Sequence, residues 1–188
     1  MTATSARDRI LETAFALFYA RGIRAVGVDL IIAESGVAKA TFYKHFPAKD
    51  QLVLAYLDKV DLIWSAQLRS AADAAGGSAD AQLVGMFDAL ATACRREGYR
   101  GCAFINAAAE STPGTPVHQR TVEHKDAVRA WVTDLAGQAG ADDPGVLART
   151  LTLLLDGGLA DGALGADPRV ADHAKESARI LVAAATAR

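Results

Sequence analysis

The sequence predicts an all-α protein of about nine helices, with an N-terminal three-helix helix-turn-helix domain followed by a larger helical body. Apolar residues recur at three- and four-residue spacing through most of the 188-residue chain. Strand signals are missing, since no run of alternating β-branched residues stands between turn dipeptides. Residues 28–54 read as two short helices about a Gly turn, with a third helix beginning beyond Pro47.

The first helix is expected to begin at Thr4 or Ser5, because Ser5 and Asp8 have the spacing of a capping box. Ile10, Leu11, Ala14, Phe15, Leu17 and Phe18 form its apolar stripe, and Gly22 closes it. Arg7 and Arg24, near its two ends, are candidate contacts to a DNA backbone, with solvated surface charge as the plain alternative.

The next helix covers residues 29–35 and ends at Gly36, which supplies the left-handed residue of the turn. A second short helix, 39–45, puts Phe42 and Phe46 on one side at i, i+4. Lys39, Thr41, Tyr43, Lys44 and His45 are left for the other faces, and Lys49 follows the break that Pro47 imposes. Hydroxyls and cations on a free helix face are what phosphate contact needs, and in such a unit the second helix enters the major groove.

The run GVAKATFYKHFPAKDQL, extended back through RILETAFALFYARGI, closely resembles the recognition-helix signature of the TetR family of bacterial transcriptional regulators over roughly the first third of the chain. The resemblance implies that Thr41, Tyr43 and Lys44 touch DNA, that Tyr43 and Lys49 hold phosphates, and that Lys39 and Ala40 face base edges. His45 completes the DNA-binding set. The sequence departs from the common pattern at Ala38 and Ala48, where a capping Ser or Thr is frequent, and at Ile32, where Ala is usual. Loss of a side-chain cap costs about 0.5–2 kcal/mol, so these helices are expected to order fully only on DNA.

A formal net charge of −2 conceals an asymmetry: residues 1–60 carry eight Lys or Arg against six Asp or Glu, and the remainder twelve against sixteen. That front is only mildly basic, and pairing two copies would strengthen its hold on phosphate. MTATSARDRILE lacks the apolar core of a signal peptide, and no stretch has the length and apolarity of a membrane span. Two cysteines give no sign of an oxidising compartment, so a cytoplasmic protein is expected. With no Gly-rich phosphate loop, no G-x-S-x-G elbow and four scattered His, neither catalysis nor a cofactor is expected. His118, Glu123 and His124 lack metal-ligand spacing, so no metal is expected either.

A long helical pattern, 49–75, carries Leu52, Val53, Tyr56, Leu57, Val60, Ile63, Trp64 and Leu68. Placing the boundary at Pro47 gives a DNA-binding domain, 1–47, and a helical ligand-binding and dimerisation domain, 48–188. Residues 80–97 form an amphipathic helix, and the GCAFINAAAE run that follows, apolar apart from Asn106, is read as a pocket wall or an ordinary core helix. Residues 117–140 are expected to turn Val122, Val128, Trp131, Val132 and Leu135 inward. The last two helices, 144–164 and 168–187, are rich in Leu, Ala and Gly.

In the resembled family the final pair makes a four-helix interface with a second copy. The resemblance therefore implies a homodimer on an inverted-repeat, double-stranded DNA operator, most commonly a repressor, released by a small-molecule effector. Trp64, Leu68, Phe87, Leu90, Cys102, Phe104, Ile105 and Trp131 are candidates to line a mostly apolar cavity, with Asn106 as its polar anchor. The alternative is a regulator switched by oxidation of Cys94 or Cys102, which Arg95, Arg96 and Arg100 flank, and against it stands the reading of both as buried inert thiols.

Overall fold

The structure, a computed structural model, describes residues 5–187, and among these it contains ten helical segments and no strand. The expected start at Thr4 lies outside the described residues. Ser5 caps α1 (Ala6–Arg21), accepting from the Asp8 amide and donating its hydroxyl to the Asp8 carboxylate at 2.6 Å. After it come α2 (Val28–Ser35), α3 (Lys39–His45) and α4 (Lys49–Ala74). The body adds α5 (Ala79–Gly85), α6 (Phe87–Cys94), α7 (Ala103–Glu110), α8 (Pro116–Gln138), α9 (Pro144–Leu164) and α10 (Val170–Thr186).

Segments α5 and α6 meet at Met86, whose backbone stays in the right-handed helical region. They are the single amphipathic helix expected there, tightened for one turn, so the ten segments make nine rods. Gly85 lies so close to the end of α4 that a Cβ on it would stand 2.2 Å from the Ala75 methyl.

The chain forms two compact units. One runs up to Asp61 and includes Ala103–Val122; the other comprises Leu62–Cys102 and Glu123 onward. The helix-turn-helix unit thus extends past Pro47, because the first half of α4 supplies its core. Leu52, Val53, Tyr56 and Leu57 are buried there with Ile10, Phe18, Ile31, Phe42 and Phe46. Phe15 and Phe18 meet the Tyr56 ring edge-on at 5.6 and 5.5 Å.

In the second unit α10 packs along α9, and both meet α6. Their shared core contains Leu68, Phe87, Leu90, Leu151, Leu155 and Val182. An Asp143 cap and Pro144 start α9, and a left-handed Gly165 ends it. Gly158 admits Leu90, whose Cδ2 is 2.5 Å from where a Cβ would stand.

One expected face is corrected. Val122 is exposed, whereas Val117, Thr121, His124, Val132 and Leu135 are buried. The inward stripe of α8 passes through Thr121 and His124, and treating these as surface because they are polar shifts the register. The Thr121 hydroxyl donates to the carbonyl of His118 at 2.6 Å, so its burial leaves no unmet donor.

Candidate nucleic-acid interface and regulatory residues

Helix α3 occupies residues 39–45 as expected, starting at Ala38 and stopping at Phe46. Gly36, with φ 64° and ψ 29°, makes the left-handed turn between α2 and α3. Neither helix has a side-chain cap. Both are nevertheless fully formed. Burial of Ile31, Val37, Phe42 and Phe46 holds them, and tertiary packing outweighs the missing caps.

With Phe42 and Phe46 turned inward, the remaining faces of α3 carry Lys39, Ala40, Tyr43 and Lys44 exposed, and Thr41 and His45 half-exposed. Tyr43 rests against Phe42, its ring 5.3 Å away and nearly perpendicular, which fixes the direction of its phenol. The Lys39 ammonium lies 3.4 Å from the Asp29 carboxylate, an exposed pair that solvent screens. Arg7, one of the proposed flanking contacts, stacks over Phe46 with its guanidinium carbon 5.2 Å from the ring.

Lys49 is placed differently from the other cations. Its ammonium donates to the Ile23 carbonyl at 2.6 Å and lies 5.9 Å from the centre of the Phe18 ring. Burial pushes its pKa down, while the carboxylates of Glu110 and Asp50 act in the opposite direction. One of its three N–H donors is therefore engaged inside the protein. Arg24, the other flanking candidate, donates its Nε to the Glu110 carbonyl at 2.8 Å.

The nine residues expected to line a cavity separate into groups. Leu68, Phe87 and Leu90 are fully buried in the core of the second unit, and Trp64, Cys102 and Trp131 are half-buried against it. Arg69 covers the Trp131 ring at 5.0 Å. Phe104 is buried in the helix-turn-helix unit, while Ile105 and Asn106 are exposed. Ala103, Phe104 and Ala107 set the buried face of α7, and Asn106 falls outside it.

Two surface clefts among the described residues are lined by none of the nine. One, of about 490 Å³, lies among Val84, Asp88, Lys175, Arg179 and Val182. The other, of about 230 Å³, lies among Arg24, Lys49, Glu110, Thr112 and Thr115. Among the described residues no group of three His, Cys, Asp or Glu is placed to hold a metal ion, and no helix is long and apolar enough to cross a membrane.

The thiols differ in setting. Burial pushes the Cys94 pKa up from its ordinary value, with a hydrogen bond from Tyr99 acting against it. Cys102 accepts from the Lys125 ammonium at 3.6 Å, and that ammonium also meets Asp156 at 2.5 Å.

Glu110, Arg120 and Lys125 hold polar clusters that the sequence reading passed over. Their partners stand 86, 62 and 31 residues away, beyond any local motif.

A short helix carrying hydroxyls and cations, set on a Gly turn and held by aromatics beneath, defines a helix-turn-helix DNA-binding protein. The pattern described as "Bacterial regulatory proteins, tetR family" matches residues 10–56. A TetR-family transcriptional regulator from Streptomyces coelicolor is 39% identical in sequence, with 96% of each chain covered and a TM-score of 0.89. The HTH-type transcriptional regulator YjdC of Escherichia coli is 25% identical over 155 residues, 80% of each chain. A TetR transcriptional regulator from Chloroflexus aurantiacus shares the fold at 22% identity, with a TM-score of 0.82 over 94% of this chain and 93% of that one. The chain belongs to the TetR family of bacterial transcriptional regulators and is a DNA-binding transcriptional regulator. Regulators of this family bind DNA operators and often act as dimers with small-molecule effectors.

Proposed function

We propose that the protein is a homodimeric repressor that binds an inverted-repeat operator and leaves it when a small, mostly apolar molecule binds. The observation that carries this reading is a stripe on α9. Val146, Leu153 and Leu164 are 63%, 66% and 77% exposed, and with Thr150, Gly157 and Ala160 between them they follow the alternating four- and three-residue spacing of a helix seam. Ile180 of α10 is exposed to a similar degree. Large apolar side chains in such a row support association with a second copy through α9 and α10, which belong to one unit and pack along each other.

In the dimer two α3 helices reach successive major-groove turns only when their separation matches about 34–36 Å. An effector that favours a dimer with another separation draws the population away from DNA, and a typical coupling of about 1–3 kcal/mol weakens binding about 5–150-fold. Residues 1–47 are assigned to DNA reading and 48–188 to effector and partner binding. Trp64, Cys102 and Trp131 are open to a ligand at the edge of the core, whereas Leu68, Phe87 and Leu90 meet one only where that core parts. Phe104, Ile105 and Asn106 complete the proposed set.

The proximity of Lys125 to Cys102 favours a second reading, in which oxidation of that thiol replaces the ligand. Cys94, half-buried like Cys102 but with its thiol pKa pushed up by burial, is the less reactive of the two under that reading.

The decisive experiment selects bound duplexes from a random pool with the purified protein and with Tyr43→Ala. An inverted repeat recovered by the parent alone is the expected result, and absence of any enriched sequence overturns the proposal. Peroxide-dependent release from the recovered duplex, abolished by Cys102→Ser, would select the thiol reading.

A further inference from the structure

Helix α7 is eight residues long, about 12 Å at the helical rise of 1.5 Å per residue, and it is gripped at both ends. At its start Phe104 is buried, with the Arg120 guanidinium carbon 5.8 Å from the ring. That guanidinium forks to Asp58 and Asp61 of α4, both at 2.7 Å.

At its end the Glu110 carboxylate accepts the main-chain N–H of Ile23 at 3.2 Å and of Arg24 at 2.6 Å. Arg24 returns a bond from its Nε to the Glu110 carbonyl. Gly22 makes the approach possible: its φ is +87°, and a Cβ there would stand 2.7 Å from Glu110 Oε1. Lys49 holds the same turn from the opposite main-chain group, the Ile23 carbonyl. All of these residues belong to the helix-turn-helix unit.

We infer that Glu110, at the end of the α7 rod, is the positioning residue that sets the α1–α2 turn and hence the entry of α2 beneath the recognition helix. This rests on the ligand-responsive reading, because the start of α7 carries Phe104, Ile105 and Asn106 of the proposed effector set. Charge-assisted bonds to two successive amides fix both the position and the direction of the turn. Helix α2 packs on α1, and α3 packs on α1 as well, so a changed turn is a changed pose of the reading head. Packed interfaces of this kind pass small displacements on as discrete rearrangements.

The test uses the full chain as parent, Glu110→Gln, Phe104→Leu and the double variant. Gln keeps the size of Glu110 but can accept at only one oxygen, so folding is preserved while the paired grip is lost. Amide hydrogen exchange at Ile23 and Arg24 reads the grip. Affinity for the duplex recovered by selection, set against a shuffled duplex of equal length, reads the pose.

Glu110→Gln is expected to speed exchange at both amides on the order of tenfold. It should also weaken operator binding about tenfold while leaving the shuffled duplex within about twofold. Phe104→Leu is expected to speed the same amides in the parent and to add nothing in the Glu110→Gln background. Equal effects of Phe104→Leu in both backgrounds would overturn the rod, as would fast amides with unchanged operator affinity. If the parent enriches no duplex, the operator proposal has failed on its own, and the exchange comparison still decides whether α7 and Glu110 act as one.

Discussion

The phenol of Tyr99 donates to the main-chain carbonyl of Leu159, sixty residues away, at 3.0 Å. The ring reaches it because Gly162, the next residue on that side of α9, has no side chain: a Cβ there would lie 2.5 Å from the Cys94 sulfur and 3.5 Å from Tyr99 Cε1. Tyr99→Phe should lower stability by about 0.5–1.5 kcal/mol. Gly162→Ala should cost about 1–3 kcal/mol for displacing Cys94, offset by about 1 kcal/mol of helix propensity. Urea unfolding of the two variants checks both.

A harsher test of packing lies at Gly85. The methyl of an alanine there would meet the Ala75 Cβ at 2.2 Å and the Ala71 carbonyl at 3.1 Å, neither of which can rotate away. Gly85→Ala should cost about 2 kcal/mol or more, at the upper end of overpacking penalties. Adding Ala75→Gly should recover part of the loss, and a melting temperature that the second change leaves unmoved would place the clash elsewhere.

Alkaline pH acts through Cys94. Its folded-state pKa is raised by burial, so above the ordinary thiol value of 9.0 the unfolded chain loses its proton first. The folded state then holds more protons, and stability falls as pH rises from that value through the folded pKa. Cys94→Ser or Cys94→Ala should flatten this part of the stability profile, measured by chemical unfolding between neutral and strongly alkaline pH.

On DNA, Lys44 is expected to act as a phosphate contact. Lys44→Ala should weaken operator and non-operator duplexes alike and reduce the salt slope of binding by about 1. A loss confined to the operator would make Lys44 a base reader instead.

The exposed seam gives a prediction about assembly. Leu153→Glu with Ile180→Glu puts charge on the stripe without touching the core, since both side chains are already in solvent. Sedimentation is then expected to report a dimer for the parent and a monomer for the variant, with helical content unchanged.

Helix-turn-helix geometry was legible because its determinants are local. Gly36, Phe42, Phe46 and Pro47 fall within a dozen residues, and the spacing of apolar and breaking residues fixes α3 to its end residues. Helix α9 was legible for the same reason, bounded by Asp143, Pro144 and Gly165. What escaped was non-local. Nothing near Glu110 in the chain names Ile23 and Arg24 as its partners, and the inward turn of Thr121 and His124 contradicts their polarity until the neighbouring helices are present. The candidate ligand residues are, Asn106 apart, simply apolar, and apolarity alone does not separate a cavity wall from a packed core.

Helix α4 runs unbroken from Lys49 to Ala74 and gives its first half to one unit and its second half to the other. For anyone building hybrid regulators, this makes the reading head a discontinuous part. A graft cut at Pro47 would leave Leu52, Val53, Tyr56 and Leu57 behind in the host, and the aromatic pairs of Phe15 and Phe18 with them. A transplant that keeps its own core must carry the chain to Asp61 and bring the 103–122 segment as a second piece, so new specificity is more readily installed by exchanging side chains on α3 than by exchanging domains.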